Sequence, residues 1–183
     1  MISIEVLGEP APKGSMRAML IKGRPIVVAS GSRANEKALK AWTKAIAAAV
    51  VSSIGERTEP LYVEQPLEVH LMFKLLRPAG HYSTGKVRSV KASAPLYPMV
   101  MCDDIDKLAR STLDALTGLL FDDDGRIVTL VCTKHYADSA AQQGVVITID
   151  SLLTSKQYAL SLDASARKQT DKTGESSPIV PKC

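Results

Sequence analysis

Residues 103–136 read DDIDKLARSTLDALTGLLFDDDGRIVTLVCTKHY, a stretch in which a helical pattern joins two acidic segments and a strand pattern follows. Residues at three- and four-residue spacing lie between the two acidic segments: Leu108, Thr112, Ala115, Leu116 and Leu119. This spacing predicts a helix from about Lys107 to Thr117 that ends at Gly118. Arg126 to Tyr136 predicts a strand that follows the Asp-rich turn.

The chain before this stretch carries period-two and helical patterns separated by turn residues. Strict alternation of apolar residues from Leu67 to Leu75 predicts a strand. The other upstream predictions are a strand over Ile2–Leu7, a short hairpin over 18–28 around Lys22-Gly23, a helix over Asn35–Ile54 and a long loop over 77–100. Gly55 is suited to end that helix, and a loop of this length in a compact domain is commonly functional or disordered.

The chain after this stretch predicts one more strand over Gly144–Ile149, a helix over 151–168 and a disordered tail over 169–183. The element order β-α-β-loop-α-β-β is typical of an α+β fold. We therefore predict a single domain over residues 1–150, with a mixed β-sheet packed by two main helices. Residues 151–183 are predicted to be a C-terminal extension.

Composition excludes several classes of protein. The 183 residues are 45% apolar and 23% charged, which is typical of one globular domain. No apolar run approaches the ~20 residues of a membrane span, and the N-terminus has no visible signal-peptide pattern. The three cysteines match neither a disulfide framework nor a zinc site. We expect a cytoplasmic protein without a membrane partner.

Charges of opposite sign are segregated along the chain. Residues 10–35 and residues 69–102 each contain five basic residues and no acidic residue. Residues 103–124 then contain seven aspartates: Asp103, Asp104, Asp106, Asp114, Asp122, Asp123 and Asp124. This pattern suits a polyanion held around bound divalent cations. The alternative is that the basic loops are only solvated and the aspartates are helix caps and turns.

The acidic residues have the spacing of a divalent-metal site. On an extended segment, Asp104 and Asp106 would project to the same side while Ile105 points into the core. Asp106 would then cap the following helix and leave Asp104 free. The turn Asp122–Asp124 offers a third carboxylate, if tertiary packing brings it back to the start of the helix. Mg²⁺ prefers such oxygen ligands and activates water for phosphodiester cleavage.

Two residues near the first acidic segment, Lys107 and Arg110, could add positive charge to the site. Arg110 lies four residues after Asp106 and could contact the scissile phosphate, or pair with Asp106 or Asp114. For Lys107 we expect simple solvation.

An Asp-x-Asp segment also occurs in nucleotide-sugar transferases, but this chain is short for a donor-plus-acceptor fold. The combination of the acidic segments with two acid-free basic stretches therefore favours a metal-dependent nuclease.

The segment Asp103–Gly118, followed by Leu119–Ile127, resembles the RusA Holliday junction resolvases. The signature of this family is a P-D-x-D-N/K segment, an L-D-A-L-x-G helix and a D-D-x-x-V/I turn. Leu7–Gly14 is similar to the family's strand followed by a P-x-P-K loop, and residues 81–86 resemble a loop of phage-borne members. The resemblance covers about residues 1–150.

This resemblance implies a homodimer that needs Mg²⁺, with Mn²⁺ as a substitute, and resolves four-way DNA junctions by paired symmetric nicks in recombination and repair. The family's essential carboxylates carry over to Asp104, Asp106 and Asp124, with Asp123 beside them as a further metal ligand. The family's catalytic lysine falls on Arg110, which keeps the charge but cannot exchange a proton. A bacterial cell or a phage-infected host is the expected location.

Branched DNA is the partner that the resemblance implies, bound largely through its backbone. The residues expected to contact DNA are Lys13, Arg17, Arg77, Lys86, Arg88, Lys91 and Lys134. Since aromatic residues are scarce, Tyr82 and Tyr97 are the candidates for a side chain inserted at the junction centre. The alternative function is a non-catalytic branched-DNA-binding protein with structural metal ions, which the arginine at position 110 keeps open.

Overall fold

The computed structural model describes residues 1–30, 33–85, 89–99, 103–153 and 157. These residues form the following strands and α-helices, in chain order: β1 Ile2–Leu7, β2 Ser15–Ile21, β3 Arg24–Ser30, α1 Arg33–Ile54, β4 Leu67–Leu76, α2 Ile105–Leu116, β5 Ile127–Ala137 and β6 Gly144–Ser151. The predicted α+β class with a mixed sheet and two helices is confirmed. Within the described residues, neither helix has the length and apolar character needed to cross a membrane.

The main sheet of the described residues has four strands in the order β1-β6-β4-β5. Strand β6 runs antiparallel to β1 and to β4, whereas β4 and β5 are parallel. Two parallel neighbours need a crossover connection, and α2 lies within this one. Leu71 lies at the centre, opposite Ile147 on one side and Cys132 on the other. Among the described strands, β5 is therefore an edge.

One face of this sheet is covered by the two helices. Alternate residues of β4 are buried, as period two predicts: Leu67, Val69, Leu71, Phe73 and Leu75. They pack in one cluster with the buried face of α1, which contributes Trp42, Ile46 and Val50. The indole Nε1 of Trp42 donates a hydrogen bond of 3.3 Å to Oγ1 of buried Thr112. This hydrogen bond joins α1 to α2, so the two helices are positioned together over the sheet.

Strands β2 and β3 form a two-stranded antiparallel hairpin, which confirms the hairpin predicted around Lys22-Gly23. Ile21 pairs with Arg24 across the turn. Lys22 and Gly23 have positive φ angles of 51° and 73°. Two positive φ values are the requirement of a type I′ turn, whose twist matches that of the flanking strands. The hairpin extends three residues earlier and two residues later than predicted.

Helix α2 begins earlier than predicted, and this changes the geometry of the first acidic segment. Its first residue is Ile105, and Asp104 is the N-cap with the extended angles φ −65° and ψ 133°. The prediction of an extended Asp104–Asp106 segment is therefore wrong. An aspartate is favoured at the N-cap, and a second one in the first turn interacts well with the helix dipole. The predicted end is confirmed, because Gly118 follows the C-cap with φ 82°.

The C-terminal region is described only in part. Residues 1–151 form one compact unit and residues 152–183 form another. Ser151, predicted as the first residue of a helix, is the last residue of β6. In the second unit only residues 152, 153 and 157 are described, so the rest of the predicted helix and the predicted tail lie outside the described residues.

Candidate functional site

The N-terminus of α2 presents two exposed carboxylates within one turn. Asp104 lies at the N-cap and Asp106 in the first helical turn. The carboxylate of Asp104 forms an ion pair of 2.6 Å with Nζ of Lys107. This hydrogen bond lowers the pKa of Asp104 below its usual value and raises the pKa of Lys107. Lys107, for which we predicted only solvation, is thus part of the site.

A third and a fourth carboxylate lie close to this turn. The pKa of Asp103 is raised, first by partial burial of its carboxyl group and then by the negative charges of Glu9 and Asp104. Glu9 and Asp103 line the same surface cavity of about 280 Å³. Sequence analysis missed Glu9 because no pattern links it to residues almost one hundred positions later. Crowded carboxylates of this kind favour the binding of a cation.

The second acidic segment is a tight turn between α2 and β5. Asp122 accepts two hydrogen bonds from Arg126, one of them 2.7 Å long, and this pairing lowers the pKa of Asp122. The carboxylate of Asp123 accepts a hydrogen bond of 2.7 Å from the amide of Gly125. Asp124 is exposed and begins a single 3-10 turn that leads into β5. The predicted turn is confirmed, and Asp124 is its least constrained carboxylate.

Helix α2 separates the two acidic segments within one protomer. Its 12 residues span about 18 Å at 1.5 Å per residue. Asp104 and Asp106 lie at its N-terminus, whereas Asp123 and Asp124 follow its C-terminus. In the part of the chain that the structure describes, no three Asp, Glu, His or Cys side chains form a group that could hold a metal ion. The predicted ligands are therefore present as two groups rather than one.

The loop before β2 is fixed to α2 by three contacts. The hydroxyl of buried Ser111 donates a hydrogen bond of 2.7 Å to the carbonyl oxygen of Ala11. The backbone amide of Lys13 donates to the carbonyl oxygen of Lys107 over 3.1 Å. The Lys13 ammonium group forms an ion pair with Asp114. Lys13, a predicted DNA contact, is therefore held along α2, with its backbone beside the first turn and its ammonium group at Asp114 in the last turn.

Three other predicted DNA contacts also bind within the protein. The Arg77 guanidinium lies 3.8 Å from the centre of the Tyr136 ring and donates to the carbonyl oxygen of Pro95 over 2.8 Å. The Lys91 ammonium donates to the carbonyl oxygen of Gly80 over 2.8 Å. These contacts fasten the loop after β4 to the end of β5. Lys134 also bonds within the protein, whereas the side chain of Arg17 and both Lys86 and Arg88 lie outside what the structure describes.

Two of the remaining site residues differ in their surroundings. Nζ of Lys134 donates to the carbonyl oxygen of Asp103 over 2.9 Å, so the end of β5 lies at the acidic end of α2. Arg110 is exposed on the second turn of α2. Neither pairing predicted for Arg110, with Asp106 or with Asp114, is found in the described residues, and Asp114 pairs with Lys13.

Strand β5 exposes apolar side chains along its first half. Val128, Leu130 and Val131 are 61%, 44% and 40% exposed. They lie on a strand that has a described neighbour, β4, on one side only. An exposed apolar edge strand is a common site of pairing with another chain.

Comparison with known protein families gives a match to Endodeoxyribonuclease RusA over residues 12–150. The chain belongs to the RusA family. The matched region includes both acidic segments, the two helices and every strand except β1. No curated protein matches the chain. The predicted resemblance is confirmed, and with it membership of a family of endodeoxyribonucleases that act on Holliday junctions.

Proposed function

We propose that this RusA family protein is a Mg²⁺-dependent homodimeric endonuclease that resolves four-way DNA junctions by paired symmetric nicks. Mn²⁺ is expected to replace Mg²⁺, and recombination and repair are the expected processes. The observation that carries the proposal is the family match across both acidic segments. The exposed carboxylates at the N-terminus of α2 supply the chemistry.

The donor groups at this end of α2 are of the type that a hard divalent cation binds, and they would form part of its ligand set. Asp104 and Asp106 offer exposed carboxylate oxygens, which Mg²⁺ prefers as ligands. The pKa of Asp103 is raised first by partial burial and then by the negative charges of Glu9 and Asp104, so further carboxylates lie close to this turn. When bound, the ion lowers the pKa of a water molecule and stabilises charge on a phosphate. We propose Asp104, Asp106, Asp123 and Asp124 as its ligands.

Positive side chains around these carboxylates are suited to hold the DNA backbone. The Lys107 ammonium pairs with Asp104 and is free to move to a phosphate once a metal ion takes its place. Arg110 is exposed one turn further along α2. Its guanidinium offers fixed donors for a phosphate but cannot exchange a proton at neutral pH. We propose that it stabilises charge electrostatically. Lys134 approaches from β5.

The separation of the two acidic segments supports a dimer whose sites each draw carboxylates from both protomers. The apolar edge of β5 is the surface that we propose for this dimer. An edge strand that pairs with its own copy around a two-fold axis runs antiparallel to it. The start of one β5 then lies beside the end of the other. Asp123 and Asp124 of one protomer would therefore approach the Lys134 end of its partner.

Cleavage of a labelled immobile four-way junction tests the proposal. The protein is incubated with the junction or with a matched linear duplex, in Mg²⁺ or in EDTA. Paired symmetric nicks in the junction alone, lost in EDTA and in Asp104→Asn, are the expected result. Tight junction binding without cutting in Mg²⁺ or Mn²⁺ would contradict it and support the non-catalytic DNA-binding alternative.

A further inference from the structure

The tip of the β2–β3 hairpin exposes apolar side chains between basic ones. Leu20 is 75% exposed and Ile21 is 46% exposed. Lys22 and Arg24, which flank Gly23 in the turn, are also exposed. The hairpin is separate from the four-stranded sheet in the described residues, so this tip does not belong to the main core. Adjacent exposed apolar side chains of this kind are a feature of binding surfaces.

The two apolar side chains lie on opposite faces of the ribbon. Successive residues of a strand point to opposite faces, and Leu20 and Ile21 are the last two residues of β2. They pair with Pro25 and Arg24 across the hairpin. A hairpin that packs against a protein surface needs only one apolar face. Apolar side chains on both faces of a narrow tip instead suit insertion between two flat apolar surfaces, such as unstacked base pairs.

The charge of this region fits a nucleic acid. Residues 10–35 contain five basic and no acidic residues. The positive groups at the tip, Lys22 and Arg24, lie beside the apolar pair and can contact phosphates when the pair contacts bases. The family match to an endodeoxyribonuclease favours DNA as the polyanion that this basic stretch contacts.

The base of the hairpin is anchored beside the candidate site. Lys13 precedes β2 by two residues, and its amide bonds to Lys107 in the first turn of α2. The seven residues of β2 extend about 23 Å at 3.3 Å per residue. This reach corresponds to about seven nucleotides at 3.4 Å per nucleotide. The tip can therefore reach a branch point while Asp104 faces a phosphate within that distance.

We infer that the hairpin tip, through Leu20 and Ile21, is a wedge that inserts at the branch point of a DNA junction and unstacks the base pairs there. Lys22 and Arg24 hold the flanking phosphates. This inference rests on the proposed function for its substrate and adds the residues that distinguish a branched DNA from a linear one. It adds Leu20 and Ile21 to Tyr82 and Tyr97 as candidates for the inserted side chain.

Fluorescence of 2-aminopurine tests this wedge without requiring any cleavage. The base analogue is placed in a pair next to the branch point of an immobile four-way junction, and its emission rises when it unstacks. Full-length protein carrying Asp104→Asn is titrated onto this junction and onto a duplex with the same analogue. We expect emission to rise about twofold or more on the junction and to stay unchanged on the duplex.

Leu20→Ser with Ile21→Ser, in the same background, is expected to abolish the rise while duplex affinity changes by less than about threefold. Leu96→Ser is the matched control, because Leu96 is 73% exposed but lies on the loop after β4. An undiminished rise in the double variant, or an equal loss in the control, would overturn the inference. Since the readout is unstacking, loss of the wedge remains distinguishable from a protein that never cuts.

The basic residues of the tip give an independent measurement. Lys22→Ala and Arg24→Ala are each expected to weaken junction binding and to reduce the slope of log affinity against log salt by about 0.9. Circular dichroism of each variant checks that the hairpin substitutions leave the fold intact. An unchanged salt slope in both variants would place the DNA elsewhere and count against the wedge.

Discussion

The ammonium group of Lys134 lies 2.9 Å from the backbone oxygen of Asp103, directly before the N-cap of α2. This bond joins the end of β5 to the acidic segment, so a residue of the sheet sets the position of Asp104. Lys107 holds the same aspartate from within the helix. Two ammonium groups from different elements thus fix one short acidic segment.

The first prediction concerns this bond. Lys134→Ala removes the anchor of Asp103 and one charge near the DNA, so cleavage is expected to fall about tenfold, as for loss of a charged hydrogen bond worth about 1.5 kcal/mol. The salt slope of junction binding should also fall by about 0.9 if the ammonium contacts a phosphate. Single-turnover cleavage and salt titration measure the two effects. Lys134→Arg should retain the slope, and an unchanged slope in Lys134→Ala would exclude the phosphate contact.

The second prediction concerns the proposed ligands. Asp104→Asn and Asp106→Asn are expected to reduce cleavage about 100-fold or more, because charge stabilisation at the reacting centre is lost. Junction binding should be retained, since neither carboxylate attracts DNA. Gel-shift and cleavage assays on the same junction separate the two properties. Asp138→Asn is the control, because Asp138 is exposed and lies outside both acidic segments. Equal loss in the control would refute the assignment.

The third prediction tests whether each site draws on two protomers. Asp104→Asn and Asp124→Asn are each expected to be inactive alone, and mixing the two proteins is expected to form heterodimers. If each site uses Asp104 of one chain and Asp124 of the other, a heterodimer contains one intact site and one doubly altered site. We expect nicking of a single junction strand to return on mixing. A mixture as inactive as its components would show that both aspartates must come from one chain.

The fourth prediction concerns the β5 edge. Leu130→Glu introduces a charge at a side chain that is 44% exposed in the protomer and would be buried in the proposed interface. Sedimentation velocity is expected to change from dimer to monomer, and cleavage should be lost with it. Val63→Glu is a matched control, because Val63 is similarly exposed, at 42%, but lies outside β5. Persistence of the dimer in Leu130→Glu would place the interface elsewhere.

The fifth prediction concerns Cys132, which lies half-buried on β5. Burial raises the pKa of its thiol, so folding favours the protonated form. The contribution of this thiol to the stability of the folded state is present at neutral pH and is lost as the pH rises through the raised pKa of Cys132. The test uses a protein with Cys102→Ser and Cys183→Ser. Alkylation of Cys132 should be slow at pH 8 and should accelerate at a higher pH than alkylation of the same thiol in the unfolded chain. Reaction as fast as in urea-unfolded protein would contradict this.

Regular elements of this fold could be predicted because each leaves a local pattern. The alternation in β4 and the three- and four-residue spacing in α1 depend only on which residues face the core. The type I′ turn also has a local cause in Lys22-Gly23. The sequence pattern places the start of α2 about two residues too late, because an aspartate suits both an extended segment and an N-cap. The choice depends on where the following residues are buried.

The arrangement of the candidate site could not be predicted from spacing alone. Local sequence does not say that Glu9 approaches Asp103, or that Lys134 reaches its carbonyl oxygen. These contacts depend on how the segment after β1, the start of α2 and strand β5 come together in the fold. The separation of the two acidic segments follows from α2 being a straight connection between them. Sequence analysis proposes candidate residues, whereas the tertiary structure determines which of them can meet.

The length of α2 has an evolutionary consequence. Adding or deleting one residue within this helix would shift the Asp-rich turn by about 1.5 Å and rotate it by about 100° around the helix axis. Such a change would misdirect the carboxylates at one end relative to the other. Natural variants are therefore expected to conserve the number of residues between Asp104 and Asp124, while the loop between β4 and α2 tolerates insertions. The number of residues in α2 therefore sets the relative position and direction of the two acidic segments.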